Sequence, residues 1–191
     1  MTHVLLALAV LTLRVDYYHT GNATEERFSV DRVVVEPLPW PGNPAKPIDD
    51  TNLGKYRFTV VDQASGKTLF SRGFASIYGE WETTAEAKAM NRTFSESLRF
   101  PSPDKPVRIT LEKRDARNRF QQAWTFTVDP ADKFVASGTE APDVGPLIKL
   151  HEAGDPADKL DLLILGDGYT ARERGKFERD NGLHFARDQV M

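Results

Sequence analysis

Across residues 11–128 the chain alternates apolar and polar positions with a period of two, the mark of strands that bury one face. Leu11, Leu13, Val15 and Tyr17 fall on one side, and Thr12, Arg14, Asp16 and Tyr18 on the other. Residues 28–36 form a second run, in which Val33, Val34 and Val35 are apolar on both faces, as in a central strand. Tyr56, Phe58 and Val60 alternate with Lys55, Arg57 and Thr59. Gln63-Ala64-Ser65-Gly66 reads as a hairpin turn into residues 68–71. Three more strands are predicted after a break. Phe94, Glu96, Leu98 and Phe100 share a face; so do Val107, Ile109 and Leu111; so do Phe120, Gln122, Trp124, Phe126 and Val128. A polar loop, residues 114–119, joins the last two as a hairpin. Residues 83–90, with Ala85, Ala87 and Ala89, are the one helical candidate here, about two turns decorating a loop.

About seven strands separated by turn signals predict an all-β fold. The expected form is an antiparallel β-sandwich, Ig-like or jelly-roll-like, over residues 11–135. Residues 37–47 are dense in proline, so they are expected as a loop or edge segment in extended form, with Trp40 as its anchor. The pattern then changes. Residues 136–158 have the composition of a linker. Residues 160–165 are a continuous apolar run, of the kind buried on both faces of a sheet. Gly166-Asp167-Gly168 follows, and Thr170 with Glu173 fits a capping box at a helix start. Strand, glycine turn and helix in succession read as the opening of an α/β unit, residues 159–191. One strand and one or two helices cannot bury their apolar faces, so the segment is expected to be incomplete and a larger α/β domain to follow.

Val4 to Leu11 is an apolar run too short to span a bilayer, which takes about 20 residues. It has the length of a signal-peptide core, with Ala7-Leu8-Ala9 as a small-residue cleavage site. No Lys or Arg precedes it, unlike most secretory signals. Residues 1–10 are therefore expected to be a signal-peptide remnant, and the protein secreted or periplasmic.

Composition narrows the chemistry. The 191 residues carry a net charge of −3, which gives no electrostatic case for nucleic acid or an anionic membrane. There is no cysteine, which excludes disulfides, thiolate zinc sites and a cysteine nucleophile. The four histidines, His3, His19, His151 and His184, form no helical metal pair. His151-Glu152 begins like H-E-x-x-H, but Asp155 stands where the second histidine belongs. No catalytic, metal or cofactor residue is expected in this chain.

The remaining candidates each meet a plainer reading. Gly166, Asp167 and Gly168 fit the first turn of a dinucleotide site, but Asp167 would set negative charge against the phosphates; a tight turn into a helix is preferred. Asp49-Asp50 resembles a calcium loop, but glycine and acid are missing at the required spacing, so a turn is expected. Asn22-Ala23-Thr24 and Asn91-Arg92-Thr93 match the glycosylation triplet, which matters only in a eukaryotic secretory pathway. Trp124 is assigned to the core, while Trp40 and Trp81, in loop contexts, stand as interface or binding anchors. Glu96, on an apolar face, is expected to pair with an arginine.

Several segments together resemble a known family. They are residues 11–21 (LTLRVDYYHTG), 35–42 (VEPLPWPG), 71–74 (SRGF), 79–81 (GEW), 94–101 (FSESLRFP) and 163–170 (LILGDGYT). As a set they are similar to the N-terminal part of the M64 metallopeptidases, the IgA peptidases. The resemblance covers nearly the whole chain from Leu11 onward. It implies a β-sandwich N-terminal domain followed by the start of a zinc-dependent peptidase domain. In the family an H-E-x-x-H helix supplies two zinc ligands and the general base. This sequence contains no such helix, so no catalytic or metal position carries over.

The expected function is thus a non-catalytic accessory domain of a secreted zinc peptidase. Its expected partners are a downstream catalytic domain and the enzyme's protein substrate, with no nucleic acid and no membrane span. Zinc would belong to the parent enzyme, and the chain itself is expected to be inactive. The rival is a free-standing secreted binding module for carbohydrate or a surface protein, using Trp40 and Trp81. A third reading is a nucleotide-dependent enzyme built on the glycine turn.

Overall fold

The computed structural model describes residues 10–138, 148–154, 158–160 and 162–187. Residues 1–9, which include the signal-like run up to Ala9 and with it Ala7-Leu8-Ala9, lie outside the described residues, as does much of the expected linker. Of the described residues, 10–40 and 45–138 form one compact unit, and 41–44 with 148–187 another.

The first unit is a sandwich of eight strands. They are β1 (Leu11–Gly21), β2 (Glu26–Pro39), β3 (Tyr56–Asp62), β4 (Thr68–Phe74), β5 (Arg92–Pro101), β6 (Val107–Arg114), β7 (Phe120–Val128) and β8 (Val135–Ser137). One sheet has the order β5-β1-β2-β8 and the other β4-β3-β6-β7. All pairings are antiparallel except β2 with the three-residue β8. The eighth strand was not foreseen, and it runs past residue 135. Three residues are too few to show alternation.

The alternating positions meet between the sheets as the pattern requires. Leu13, Val15 and Tyr17 of β1, Leu98 and Phe100 of β5, Phe58 and Val60 of β3, and Ile109 and Leu111 of β6 are all buried. Phe100 meets Phe58 and Phe70 at 6.2 and 6.5 Å, and Tyr17 meets Trp124 at 5.8 Å. Burying each such side chain fully is worth about 1.5–3 kcal/mol, which makes this face the source of the fold's stability.

Two β-bulges change which side chains point inward. In β2 the register slips between Asp16 and Tyr17, so Val30 and Val33, three residues apart, oppose Tyr17 and Val15. In β7 it slips between Leu111 and Glu112; Trp124 opposes Leu111 but Gln122 opposes Glu112. This corrects the reading that put Phe120 on the same face as Trp124. Phe120 lies outside, between the guanidinium carbons of Arg57 at 4.3 Å and Arg114 at 4.0 Å.

The helical expectation also shifts. The short helix α1 is Ile77–Trp81, started by Ser76, whose hydroxyl accepts from the Gly79 N–H at 3.0 Å. Residues 83–90 form turns instead. Ala87 is drawn inward and packs with Tyr78 and Trp81 in a small second core. The local backbone there is held by bonds of turn type, Thr84 N to Trp81 O and Ala89 N to Glu86 O, both 2.9 Å.

The proline-rich segment lies along the edge of β4. Pro47 O accepts from Ser71 N at 3.0 Å, and the Asp49 carboxylate accepts from Gly73 N at 2.7 Å. That edge is thereby covered, which removes it as a template for stray pairing.

The second unit holds a 3-10 turn, Ala171–Glu173, and the helix α2, Arg174–Arg187. Glu173 reaches back to Thr170 N at 3.0 Å, as the capping box predicted. The run at 160–165 is not the strand that was expected. Its described residues have no regular structure, and Leu160, Leu162, Leu163 and Leu165 are exposed. A strand needs a neighbour to receive its backbone bonds, and among the described residues of this unit there is no other strand.

Candidate functional site

The inner faces of both sheets end in a cluster of charged and phenolic side chains. Continuing the β1 alternation past Tyr17 brings His19 inward, where it is 1% exposed. Glu96 stands opposite Tyr17 in β5, and Glu26 opposite Gly21 in β2. His19 Nδ1 lies 3.1 Å from Glu96 Oε2, and Nε2 lies 3.0 Å from Glu26 Oε2. The Tyr17 hydroxyl donates to Glu96 at 2.8 Å, and that of Tyr56 to Glu26 at 2.9 Å. Lys113 of β6 reaches Glu26 at 3.1 Å and Glu82, just after α1, at 2.8 Å. Lys55 pairs with Glu82 as well.

Each carboxylate accepts a hydrogen bond from a phenol, and both nitrogens of His19 face carboxylate oxygens. Two ionised carboxylates there are satisfied by a ring that donates from both nitrogens, the imidazolium form. Burial alone would lower its pKa, but the hydrogen bonds to Glu26 and Glu96 and their charges outweigh burial and raise it. For Glu26 and Glu96, burial pushes upward, and the bonds from His19, Lys113 and the tyrosines bring both below the usual carboxylate range. Burial, then the charge of Glu26, pushes the Tyr78 hydroxyl up to about 12. Three cations, His19, Lys55 and Lys113, thus face three anions, Glu26, Glu82 and Glu96. The pairing expected for Glu96 is corrected here: its partner is His19, not an arginine.

The anchors proposed from the sequence are placed as follows. Trp81 is 8% exposed, and its indole N–H donates to Glu86 at 2.8 Å. Trp40 is half-buried, edge-on to Phe70 at 5.5 Å. Asp49 caps a turn, accepting from the N–H and hydroxyl of Thr51. Asn22 and Asn91 are joined by a side-chain hydrogen bond of 2.7 Å.

Gly166, Asp167 and Gly168 sit in the second unit, where both glycines have a packing or backbone reason. Gly168 has φ +79°, in the region that favours glycine. A Cβ on Gly166 would lie 3.0 Å from the Phe177 ring of α2. Asp167 is exposed. Leu150, Leu160, Leu163, Leu165 and Phe177 help line an open groove of about 700 Å³ in this unit.

The comparisons bear on both units. The family described as Peptidase M64 N-terminus matches residues 8–125. The chain belongs to this family. A second match, to IgA Peptidase M64, covers residues 148–187. The M64 N-terminus match takes in strands β1 to β6 and most of β7, with the whole His19 cluster. The IgA Peptidase M64 match takes in the leucine run, the glycine turn and α2. No curated relative matches the chain.

Sequence reasoning passed over His19, Glu26, Tyr56 and Lys113. One signal was present: His19 continues the inward parity of Leu13, Val15 and Tyr17. Glu96, 77 residues away, showed itself as a carboxylate on an apolar face though not its partner, while Glu26, 7 residues away, carried no signal.

Proposed function

We propose that the sandwich is a non-catalytic accessory domain of a secreted zinc peptidase, acting in substrate orientation or in docking to the catalytic domain. The observation that carries this reading is the succession of two matches on one chain, M64 N-terminus followed by IgA Peptidase M64. The chemistry of the described residues fits a supporting role. Among them no three His, Asp or Glu side chains come together to hold a metal. The charged groups that do converge are spent on one another. Zinc and its general base are assigned to a peptidase domain on the strength of the IgA Peptidase M64 match. What this body supplies is a rigid surface. Export is part of the proposal, supported by the apolar run at residues 4–11. No helix among the described residues is long and apolar enough to cross a membrane.

The test adds the purified chain to an M64 zinc peptidase lacking this N-terminal part. Cleavage of a folded protein and of a short peptide is followed, together with direct binding. The chain alone is expected to be silent with or without zinc. It is expected to bind the peptidase or to accelerate cleavage of the folded protein. Chelator-sensitive cleavage by the chain alone would overturn the proposal, as would neither binding nor any change in rate.

A further inference from the structure

The His19 cluster does more than fill the end of the sandwich, because one wall of it is a loop rather than a strand. Residues 76–91, which contain α1, close over the cluster. The Tyr78 ring stacks on His19 at 3.7 Å, nearly parallel at 20°. Its hydroxyl lies 2.8 Å from the carbonyls of both Asn22 and Glu25. Glu82 is bound by Lys113 and Lys55. Ala87 O accepts from Ala23 N at 2.9 Å. Phe28 covers the opposite side of the imidazole, with ring centres 4.3 Å apart.

We propose that this arrangement is an alkaline-sensitive latch: protonated His19 holds the 76–91 loop closed on the sandwich, and loss of its proton releases the loop.

The groups facing His19 determine the direction. From its own strand comes Tyr17; from β2, Glu26; from β5, Glu96. Tyr56 of β3 approaches edge-on at 5.7 Å, and Lys113 of β6 is held by Glu26. Tyr78 and Glu82 face the cluster from the loop. With the proton present, charges balance and both ring nitrogens donate. Without it, one nitrogen turns a lone pair toward a carboxylate in a site closed to water. The cluster then carries one excess negative charge. The stack on Tyr78 also loses its cation. The strands cannot yield, since their ladders fix them, whereas the loop has few backbone bonds to the sheets. Strain at His19 is therefore relieved by opening residues 76–91, which uncovers Tyr78, Trp81 and Phe94. The sequence placed a binding anchor at Trp81; the latch makes its accessibility conditional.

The 191-residue chain tests this directly. Ring nitrogen resonances of His19 are followed by NMR from pH 6 upward, and hydrogen exchange of each segment is corrected for intrinsic rate. The ring is expected to be doubly protonated at pH 7. Protection of residues 76–91 is expected to fall at least tenfold as the ring deprotonates, with a shared midpoint. The amides of Ile109 and Leu111 should stay protected through the same range. In His19→Gln, which has no proton to lose, the loop's protection should be flat with pH. A neutral ring at pH 7 would overturn the latch. So would loop protection indifferent to the ring's state, or equal loss of protection in β6. Should His19→Gln fail to fold, the unaltered chain still decides.

Discussion

At the scale of single residues, Gly21 shows how tightly the cluster is closed. It is the last residue of β1, and a Cβ there would collide with the Glu25 carbonyl and the Tyr78 hydroxyl. Gly21→Ala is expected to cost about 1–3 kcal/mol, as overpacking does, read from the denaturant midpoint. The acidic residues of the cluster set a second expectation. Glu26 and Glu96 have folded values below the ordinary 4.5, so their contribution is complete above that pH and is lost as pH falls through the folded values. His19 has a folded value above 6.5; its contribution is complete below that pH and is lost as pH rises through the folded value. The cluster is thus fully stabilising only between about 4.5 and 6.5. Denaturant midpoints taken across pH should show a plateau there, and Glu96→Gln should flatten the acid limb. An acid limb unchanged in that variant would count against the charge assignment. Removing one partner from such a buried pair costs about 3–5 kcal/mol, so the variant should also melt lower throughout.

At the scale of elements, the β7 bulge separates two residues that the alternation treats alike. Leu111 lies in the core, and Leu111→Ala should cost about 2–5 kcal/mol through the cavity it leaves. Phe120 lies outside between two arginines, and Phe120→Ala should cost about 1–2 kcal/mol, the scale of two exposed cation–π contacts. Chemical denaturation of both variants checks the pair; a large loss at Phe120 would mean that the bulge is misplaced. The same element shows what the sequence could express. Alternation states which positions of a strand share a face, because period two is a local property; β3, β5 and β6 follow it, and β1 does from Leu13 on, whereas Leu11, expected inward, is exposed and Thr12 buried where the register with β2 shifts. A bulge adds one residue without changing composition, so the flip at Phe120 leaves no trace in the pattern. The helix α1 was hidden for a related reason: five residues, with Gly79 inside, cannot display a 3.6-residue period. The alanines at 85, 87 and 89 invite a helix, yet their spacing is even, and only Ala87 finds a place in a core. His19 and Glu96 meet across 77 residues, and pairing at that distance follows from sheet topology rather than from any motif.

At the scale of the whole molecule, two groups of large apolar residues stand apart. Those of the sandwich core face one another; every member of its two clusters lies between Leu13 and Val128. Residues 10–138 therefore contain all that their own core requires, and this piece alone should melt in one cooperative transition with a β-type far-UV spectrum. The leucines at 160, 162, 163 and 165 belong to neither cluster and stand 92%, 67%, 69% and 81% exposed. Four large side chains so close together make a contiguous patch, and such patches on soluble proteins are surfaces that another body covers. The IgA Peptidase M64 match spans this stretch. The physical consequence is measurable without knowing the occupant. A dye that fluoresces on apolar surface should bind the 191-residue chain, and Leu160→Ser with Leu163→Ser and Leu165→Ser should remove most of the signal. The sandwich transition should be unmoved by those substitutions, because none of the three is a member of its core clusters. Dye binding retained in the triple variant would show that the leucines are not the exposed surface. A lowered sandwich transition would show instead that they help to hold the β body.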